Sequence, residues 1–542
     1  MSTPGLSIIS SQRVFPTNPH SAPTTTSLSI IDASVARFSP CGAIWFLTSR
    51  PVPRPDSDEF PDTLSSVTLR VSLEHTLSAY PQWAGQLRMV PYQSSLQERI
   101  NEERYGRMEV RYGYGHEKDP GVVFVIAQTE SRMNDALPGR GEKMGLYACD
   151  EILREDVLLP SIRLASYASQ PEHTDPSVTV QITHFSCGGT AIGIQMAHCL
   201  ADAITLSHFV HDWSATHEAL ASKSPPPELH PVFEPRILDD RAAKSVDDIR
   251  PDKKTLGTAY KLPLHRYDWW SSSENAVYGP VACAVPGPLR DEPTAQEIAA
   301  QGSKMPWSTY DVRAPVSHII IHYTSSQLYR IWAAATNGGT AASRHDALVA
   351  HVWTLINRAR GPENGDKDAE VHADIAVGLR TRVSPPLPSN YLGSPLQIAK
   401  TTLSWSTAAS SDALPTIASS IKSTLLALTP AALAAQIYAT AHELAPFRLW
   451  QAFLGRQHML VTSWAHTQGC TNVRSERKGP RDMYIRSCRW WMDACKLWKG
   501  RRRARRRGKE GSGMIMELML QFILREVPWG GWQKIQEYGF ED

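Results

Sequence analysis

One continuous segment on either side of His198 constrains the fold of this chain most. Apolar and polar residues alternate over 178–183, which is the period of a β-strand with one buried face. The Ser-Cys-Gly-Gly sequence at 186–189 is typical of a hairpin turn, and the apolar run over 191–197 predicts a returning strand. Apolar residues take helical spacing from Ala201 onward. The segment therefore predicts strand, turn, strand and helix, with His198 where the second strand ends.

Strands and helices alternate on both sides of a stretch rich in Pro, Asp and Ser, which predicts an α/β fold. Further strands are predicted over 122–126, 316–322, 375–379 and 459–464, and helices over 64–87, from Ser326, from Ser343 and over 431–453. We predict a first lobe over 1–222, a crossover linker over 223–310, a second lobe over 311–470 and a basic tail over 471–542.

The composition indicates a globular protein and argues against several other classes. Of 542 residues, 42% are hydrophobic and 20% charged, and no run of 18 or more apolar residues predicts a membrane span. The first 27 residues lack the basic start and apolar core of a secretory signal. Eight scattered cysteines predict no disulfide framework. We therefore expect a cytoplasmic monomer that does not act at a membrane.

His198 is the residue whose setting best fits catalysis. An imidazole at a strand end, with an unperturbed pKa near neutrality, can take a proton from an alcohol or amine. Asp202 follows four residues later, but His208 and Asp212 repeat that spacing inside the predicted helix, where they share a face and can simply pair. A core histidine bonded to a backbone carbonyl is the structural alternative for His198.

Eight short motifs, in order over about residues 28–467, resemble the BAHD superfamily of acyl-CoA-dependent acyltransferases, particularly its fungal members. The motifs occupy 28–33, 80–87, 198–202, 264–270, 343–348, 379–382 with 385–388, 390–393 and 462–464.

The resemblance implies two similar lobes, like those of chloramphenicol acetyltransferase, with an active-site channel between them. It implies that His198 deprotonates an acceptor bound opposite acyl-CoA, with acetyl-CoA as the expected co-substrate, no bound cofactor and no metal. Because no acyl-enzyme is needed, Cys199 is expected to pack rather than react.

The resemblance also implies roles for residues around the catalytic loop. Asp202 is expected to pair with Arg380, with Arg382 as the second choice, and so to support the loop that carries His198. Five further residues are expected to line the substrate or acyl-CoA channel: Asn390, Gly393, Thr462, Ser463 and Trp464. A buried core strand is the alternative for the last three.

The sequence departs from the family pattern in two places. Ala203 stands where family members usually carry Gly. Shortly after Thr462–Trp464 the family continues into an Asp-Phe-Gly-Trp-Gly motif, and this chain has none. From residue 471 onward it has 17 Lys and Arg against 9 Asp and Glu, whereas the whole chain carries a net charge of +2.

Three interpretations of the tail remain open. The arginine block over 501–507 could bind RNA or direct nuclear import, although no nucleic-acid-binding fold motif accompanies it and we expect no nucleic-acid partner. His466, Cys470, Cys488 and Cys495 could bind zinc, but gaps of 17 and 6 residues between the cysteines differ from the usual paired spacing. We favour a reading frame that goes wrong shortly after Thr467, by a frameshift or a mis-spliced intron.

The sequence thus predicts an acyl-CoA-dependent acyltransferase that acts on a hydroxyl, less readily an amine, of a small secondary metabolite. The first alternative is a catalytically impaired or binding-only relative that lacks the missing motif. The second is an enzyme like the condensation domains of peptide synthetases, which usually carry a second His where this chain has Ala197.

Overall fold

The structure of the chain is a computed structural model. It describes residues 5–47, 64–93, 100–133, 146–148, 157–166, 174–270, 302–307, 316–464, 483–487, 494–501 and 516–525.

The described residues contain strands that we number β1 to β19 in chain order. They are Leu6–Val14, Thr24–Ser27, Cys41–Leu47, Gln86–Met89, Met108–Tyr112, Val122–Thr129, Leu146–Ala148, Val178–Phe185, Thr190–Met196, Tyr267–Asp268, Ser303–Lys304, Val316–Tyr323, Glu370–Gly378, Leu396–Ser404, Leu449–Trp450, His458–Ser463, Met483–Ser487, Ala494–Arg501 and Met516–Arg525.

The α-helices are numbered α1 to α10 in the same way. They are Ile30–Ser34, Ser66–Leu77, Ala203–Ala221, Arg236–Asp239, Lys253–Ala259, Ser325–Ala335, Arg344–Arg360, Trp405–Ala408, Leu414–Ala427 and Pro430–Ala441.

The first lobe is built on a six-stranded sheet with the order β1-β6-β8-β9-β3-β17. Its centre is the predicted hairpin of β8 and β9, which pair antiparallel. Apolar side chains of both strands pack against α2 and α3, with Trp83, Phe209 and Trp213 in the same cluster. The hairpin and the helix that follows it are confirmed, and they fix the backbone on both sides of His198.

The second face of β8 is buried, so the prediction of a half-buried strand was wrong. Thr179, Gln181 and Thr183 are at most 1% exposed. The segment 157–166 covers this face, and the Gln181 side chain donates a hydrogen bond of 2.8 Å to the Val157 carbonyl. Gln181 therefore binds the covering segment instead of water, and it also donates to the Thr183 hydroxyl.

Gly193 in β9 permits this covering. A Cβ atom on Gly193 would lie 2.1 Å from the Leu158 carbonyl oxygen, so any larger residue would push the segment 157–166 off the sheet. The same segment forms a wall of the cavity described below.

The second lobe is built on a seven-stranded sheet with the order β14-β13-β16-β18-β19-β12-β7. Helices α7 and α9 pack on it around Trp353, and α7 begins with a capping box between Ser343 and Asp346. Both lobes therefore have the mixed α/β build that was predicted.

The tail contributes three strands that no pattern in the sequence predicted. β17 pairs with β3 at the edge of the first sheet, whereas β18 and β19 lie between β16 and β12 in the second. In the opposite direction, β7 from the first half of the chain pairs with β12. Each sheet thus includes a strand from the other half of the chain.

The segment between the lobes is anchored by a buried ion pair. β10 pairs with β15, and Asp268 of β10 accepts a hydrogen bond of 2.7 Å from the guanidinium of Arg448. Both side chains are fully buried, and Arg448 also lies over the ring of Trp270. This pair fixes β10 of the crossover on the second lobe.

Two predicted helices were too long. The helix predicted over 431–453 ends at Ala441, since Pro446 starts a short 3₁₀ turn that leads into β15. The helix predicted over 64–87 ends at Leu77, and Pro81 likewise starts a 3₁₀ turn that buries Trp83.

No single helix in the described ranges has both the length and the apolar composition to cross a membrane. Helices α9 and α10, which meet at 66°, satisfy both criteria only when they are taken together.

Candidate active site

His198 lies in the short loop between β9 and α3, at the place that the sequence predicted. Its side chain is half-buried and its Nδ1 atom lies 2.9 Å from the Oγ atom of Ser394, in the second lobe. The Phe38 ring packs edge-on against the imidazole, with ring centroids 5.3 Å apart. Ser394 and Phe38 therefore both contribute to holding the imidazole.

Asp202 connects the His198 loop to α3 and to the second lobe. Its Oδ1 atom accepts a hydrogen bond of 2.9 Å from the Thr205 backbone N–H, which makes Asp202 the N-cap of α3. The guanidinium of Arg380 donates to both carboxylate oxygens, at 3.0 Å to Oδ1. Arg382 instead donates to the Leu425 carbonyl, so the structure pairs Asp202 with Arg380.

Arg380 also holds the turn that carries Ser394. It donates to the Thr205 hydroxyl at 2.9 Å and to the Gly393 carbonyl at 3.2 Å. Arg380 is 6% exposed and Asp202 is 7% exposed. Because the pair is buried and multiply hydrogen-bonded, it joins the two lobes beneath the His198 loop.

Asp32, which the sequence analysis gave no role, supports the same turn from the other side. Its carboxylate accepts hydrogen bonds of 2.6 Å from the Ser29 hydroxyl and 2.5 Å from the Ser394 backbone N–H. Burial raises the pKa of Asp32 to about 7. Asp32 therefore positions Ser394, which in turn contacts His198.

The close approach of this turn to Asp32 requires glycine at 393. Gly393 has a φ of +134°, and a Cβ atom there would lie 2.9 Å from the Asp32 Oδ1 atom.

The sequence offered a signal for Asp32 and Ser394 in their neighbours. Asp32 lies inside the motif at 28–33, and Ser394 directly follows the motif at 390–393.

His198 opens onto a cavity of about 420 Å³. Apolar side chains make up most of its wall, with polar groups from Ser161, Ser166, Arg163 and Gln195. Phe38 lies at the boundary, because it also lines a small void that reaches Arg266 and Glu443 in the interface of the lobes. The cavity has the size and the mixed lining of a site for a small, largely apolar molecule.

The residues predicted to line the channel lie elsewhere in the described structure. Asn390 donates to the His230 carbonyl of the crossover, and Gly393 is packed on Asp32. Thr462 and Ser463 are half-buried in β16, where they pair with β18. Trp464 is 6% exposed and belongs to the apolar core of the first lobe. These five residues are not among those that line the cavity at His198.

Cys199 has the surroundings of a packing residue. It is 3% exposed within an apolar cluster, and burial raises the pKa of its thiol to about 12. A thiol in that state supplies very little thiolate near neutral pH.

The second His-to-Asp spacing has a different environment from the first. Among the contacts that the structure describes, Asp212 accepts a hydrogen bond of 2.6 Å from the Tyr80 hydroxyl and lies 3.6 Å from Nδ1 of His211. The described contacts include no hydrogen bond between His208 and Asp212; burial lowers the pKa of His208, and the charge of Asp212 partly offsets that shift. Neither His208 nor Asp212 lines the cavity at His198.

Comparisons with known proteins identify the chain's relatives. The model of the Transferase family matches residues 5–258 and 308–470. Acyltransferase AFT15-1 of Alternaria alternata is 28% identical over 404 residues, which cover 72% of this chain and 71% of that protein. Acyltransferase abl6 of Leptosphaeria maculans is 25% identical, with coverage of 72% and 70%.

Solved structures have the same fold at lower identity. F. sporotrichioides TRI101 in complex with coenzyme A and T-2 is 16% identical, with a TM-score of 0.58 over 95% of this chain and 97% of that one. Vinorine synthase is also 16% identical, with a TM-score of 0.54 over 97% and 98%. Because the family model matches well over half of the residues, the chain belongs to the Transferase family, the BAHD acyltransferases, and within it to the fungal acyltransferases.

Proposed function

We propose that this acyltransferase transfers an acyl group from acyl-CoA to a hydroxyl, rather than an amine, of a small secondary metabolite, with His198 as general base. The observation that carries the proposal is that His198 faces the 420 Å³ cavity while its Nδ1 atom contacts Ser394. We assign the proton transfer to Nε2, because a neutral imidazole that donates from Nδ1 to Ser394 carries its basic lone pair on Nε2.

The proposed reaction needs one base and no covalent enzyme intermediate. His198 takes the acceptor proton while the acceptor oxygen attacks the thioester carbonyl. The tetrahedral intermediate then collapses, the carbon–sulfur bond breaks, and the CoA thiolate recovers the proton from His198. Ser394 and Phe38 would keep the ring oriented through both transfers.

The co-substrate is proposed by analogy with the solved relatives. The TRI101 structure contains coenzyme A together with T-2, that is, a CoA group and a small molecule in one complex. We propose acetyl-CoA as the donor for this chain, and a cytoplasmic monomer as its working form.

The test is turnover by the purified full chain with a panel of acyl-CoA thioesters and a fungal metabolite extract. We expect release of free CoA thiol and products whose mass rises by one acyl group. His198→Ala should lower the rate by about 10²- to 10⁴-fold, the usual contribution of a general base.

His208→Ala is the matched control, because it removes a histidine with the same spacing to an aspartate but outside the cavity. It should keep the wild-type rate. Binding of acyl-CoA without thiol release above the His198→Ala level would instead favour a binding-only relative.

A further inference from the structure

Three buried histidines meet in the second lobe, away from the His198 loop. They are His265, which precedes β10, His372 in β13 and His458 in β16. Their exposed fractions are 6%, 9% and 3%, and one ring nitrogen from each lies within 4.8 Å of the other two. Histidines are seldom buried side by side, because each has a ring nitrogen that needs a partner.

A fully buried carboxylate lies beside the cluster. Asp374 in β13 accepts a hydrogen bond of 2.8 Å from Nδ1 of His458. Its Oδ1 atom lies 3.1 Å from Nε2 of His265, but without hydrogen-bond alignment. Among the described residues neither of these two atoms has a hydrogen-bond partner. Two orphaned polar atoms thus face each other where burial makes them costly.

The hydrogen bonds around the cluster orient its rings. The Thr402 hydroxyl lies 3.0 Å from Nδ1 of His372, which directs the Nε2 atom of that ring to the cluster. A partner on the other ring nitrogen is the usual arrangement for a metal-binding histidine. Lys400 opposes Asp374 on β14, and its positive charge disfavours a cation at the cluster.

We propose that His265, His372 and His458 bind one Zn²⁺ ion, with Asp374 as the hydrogen-bond partner that orients His458. Three imidazoles fill three of the four positions of a tetrahedral zinc site, with Zn–N distances of about 2.0 to 2.1 Å. Ligand nitrogens in such a set lie roughly 3.4 Å apart, so the rings need to close by about 1 Å. The ion would fasten the crossover to β13 and β16. This proposal is independent of the proposed acyl transfer.

The first experiment measures metal in the full-length protein after expression with added zinc. We expect about one equivalent of zinc per chain in the wild type, and about tenfold less or lower in His372→Gln. His351→Gln is the matched control, because His351 is a half-buried histidine on α7 outside the cluster, and the protein with this substitution should keep its zinc. Equal zinc in the two variants, or none in the wild type, would overturn the proposal.

A second measurement does not depend on a variant that folds. Cobalt-substituted wild type should show the visible bands of a tetrahedral site without thiolate-to-metal charge transfer, and its chelation should lower the melting temperature. The double variant Cys488→Ser, Cys495→Ser should retain the metal. Charge-transfer bands, or metal loss in that double variant, would place the ion in the tail and reject the histidine site.

Discussion

The residues around His198 form two charged supports beneath one turn. Arg380 binds the turn and Asp202 together, and Asp32 receives the Ser394 N–H. Both supports are buried, so their contributions to stability are large enough to measure separately.

Arg380→Ala tests the first support. The substitution leaves Asp202 buried without its cation, and we expect the free energy of unfolding to fall by about 3 to 5 kcal/mol. Arg382→Ala is the control, since that half-buried arginine contacts a backbone carbonyl only, and it should cost far less. Chemical denaturation measures both, and wild-type stability in Arg380→Ala would refute the support role.

Asp32→Asn tests the second support through pH. The pKa of Asp32 in the folded chain is about 7, above the ordinary 3.8, so its stabilising contribution is complete below pH 3.8 and is lost as pH rises through 7. Between pH 5 and pH 8 the free energy of unfolding should therefore fall by about 3 kcal/mol through Asp32 alone. Asp32→Asn should remove this part of the pH dependence. Asp412→Asn, at an exposed site, should leave that dependence unchanged.

The sequence located His198 and its placement between strand and helix, and it named Asp202 and Arg380. It did not identify Asp32, Ser394 or Phe38 as neighbours of the imidazole. The reason is physical. Phe38 reaches His198 only when the first lobe folds, and Ser394 reaches His198 and Asp32 only when the two lobes pack, so no spacing along the chain encodes these contacts.

At the scale of elements, the strands with continuous or alternating apolar patterns were predictable. The segments that pack over those strands were not. β8 has the pattern of a strand with one wet face, yet the segment 157–166 covers that face and lines the cavity. A loop of irregular sequence carries no period, so its position on the sheet could only come from the structure.

The ion pair between Arg448 and Asp268 attaches β10 of the crossover to the second lobe. Arg448→Leu tests this attachment. A fully buried Asp268 without its partner should lower the free energy of unfolding by about 3 to 5 kcal/mol. Arg236→Leu is the comparison, because Arg236 is half exposed in its ion pairs and should change stability by about 1 kcal/mol or less. Similar losses in the two variants would show that the buried pair does not anchor the crossover.

At the scale of the whole molecule, strands of each half of the chain enter the sheet of the other half. The tail supplies β17, β18 and β19, and all three lie beyond residue 470, where the match to the family model ends. Of the residues considered for a zinc site in the tail, His466, Cys470 and Cys488 lie outside the described residues. The origin of this tail stays a prediction.

Our prediction for the tail concerns the gene. If the reading frame changes shortly after Thr467, translation of the other two frames, or removal of an intron, should yield the Asp-Phe-Gly-Trp-Gly motif that this chain lacks. Sequencing of the transcript measures this directly. A transcript that encodes the present tail, with no such motif in any frame, would end the hypothesis.

The contacts of Arg380 and Ser394 with the first lobe affect how ligands can reach the site. If the lobes moved apart, three contacts would break together: the Arg380–Asp202 ion pair, the hydrogen bond from the Ser394 N–H to Asp32, and the contact between Ser394 and His198. Ligands should therefore enter and leave through an opening of fixed width. The turnover rate should depend on the width of that opening and not on a hinge motion between the lobes.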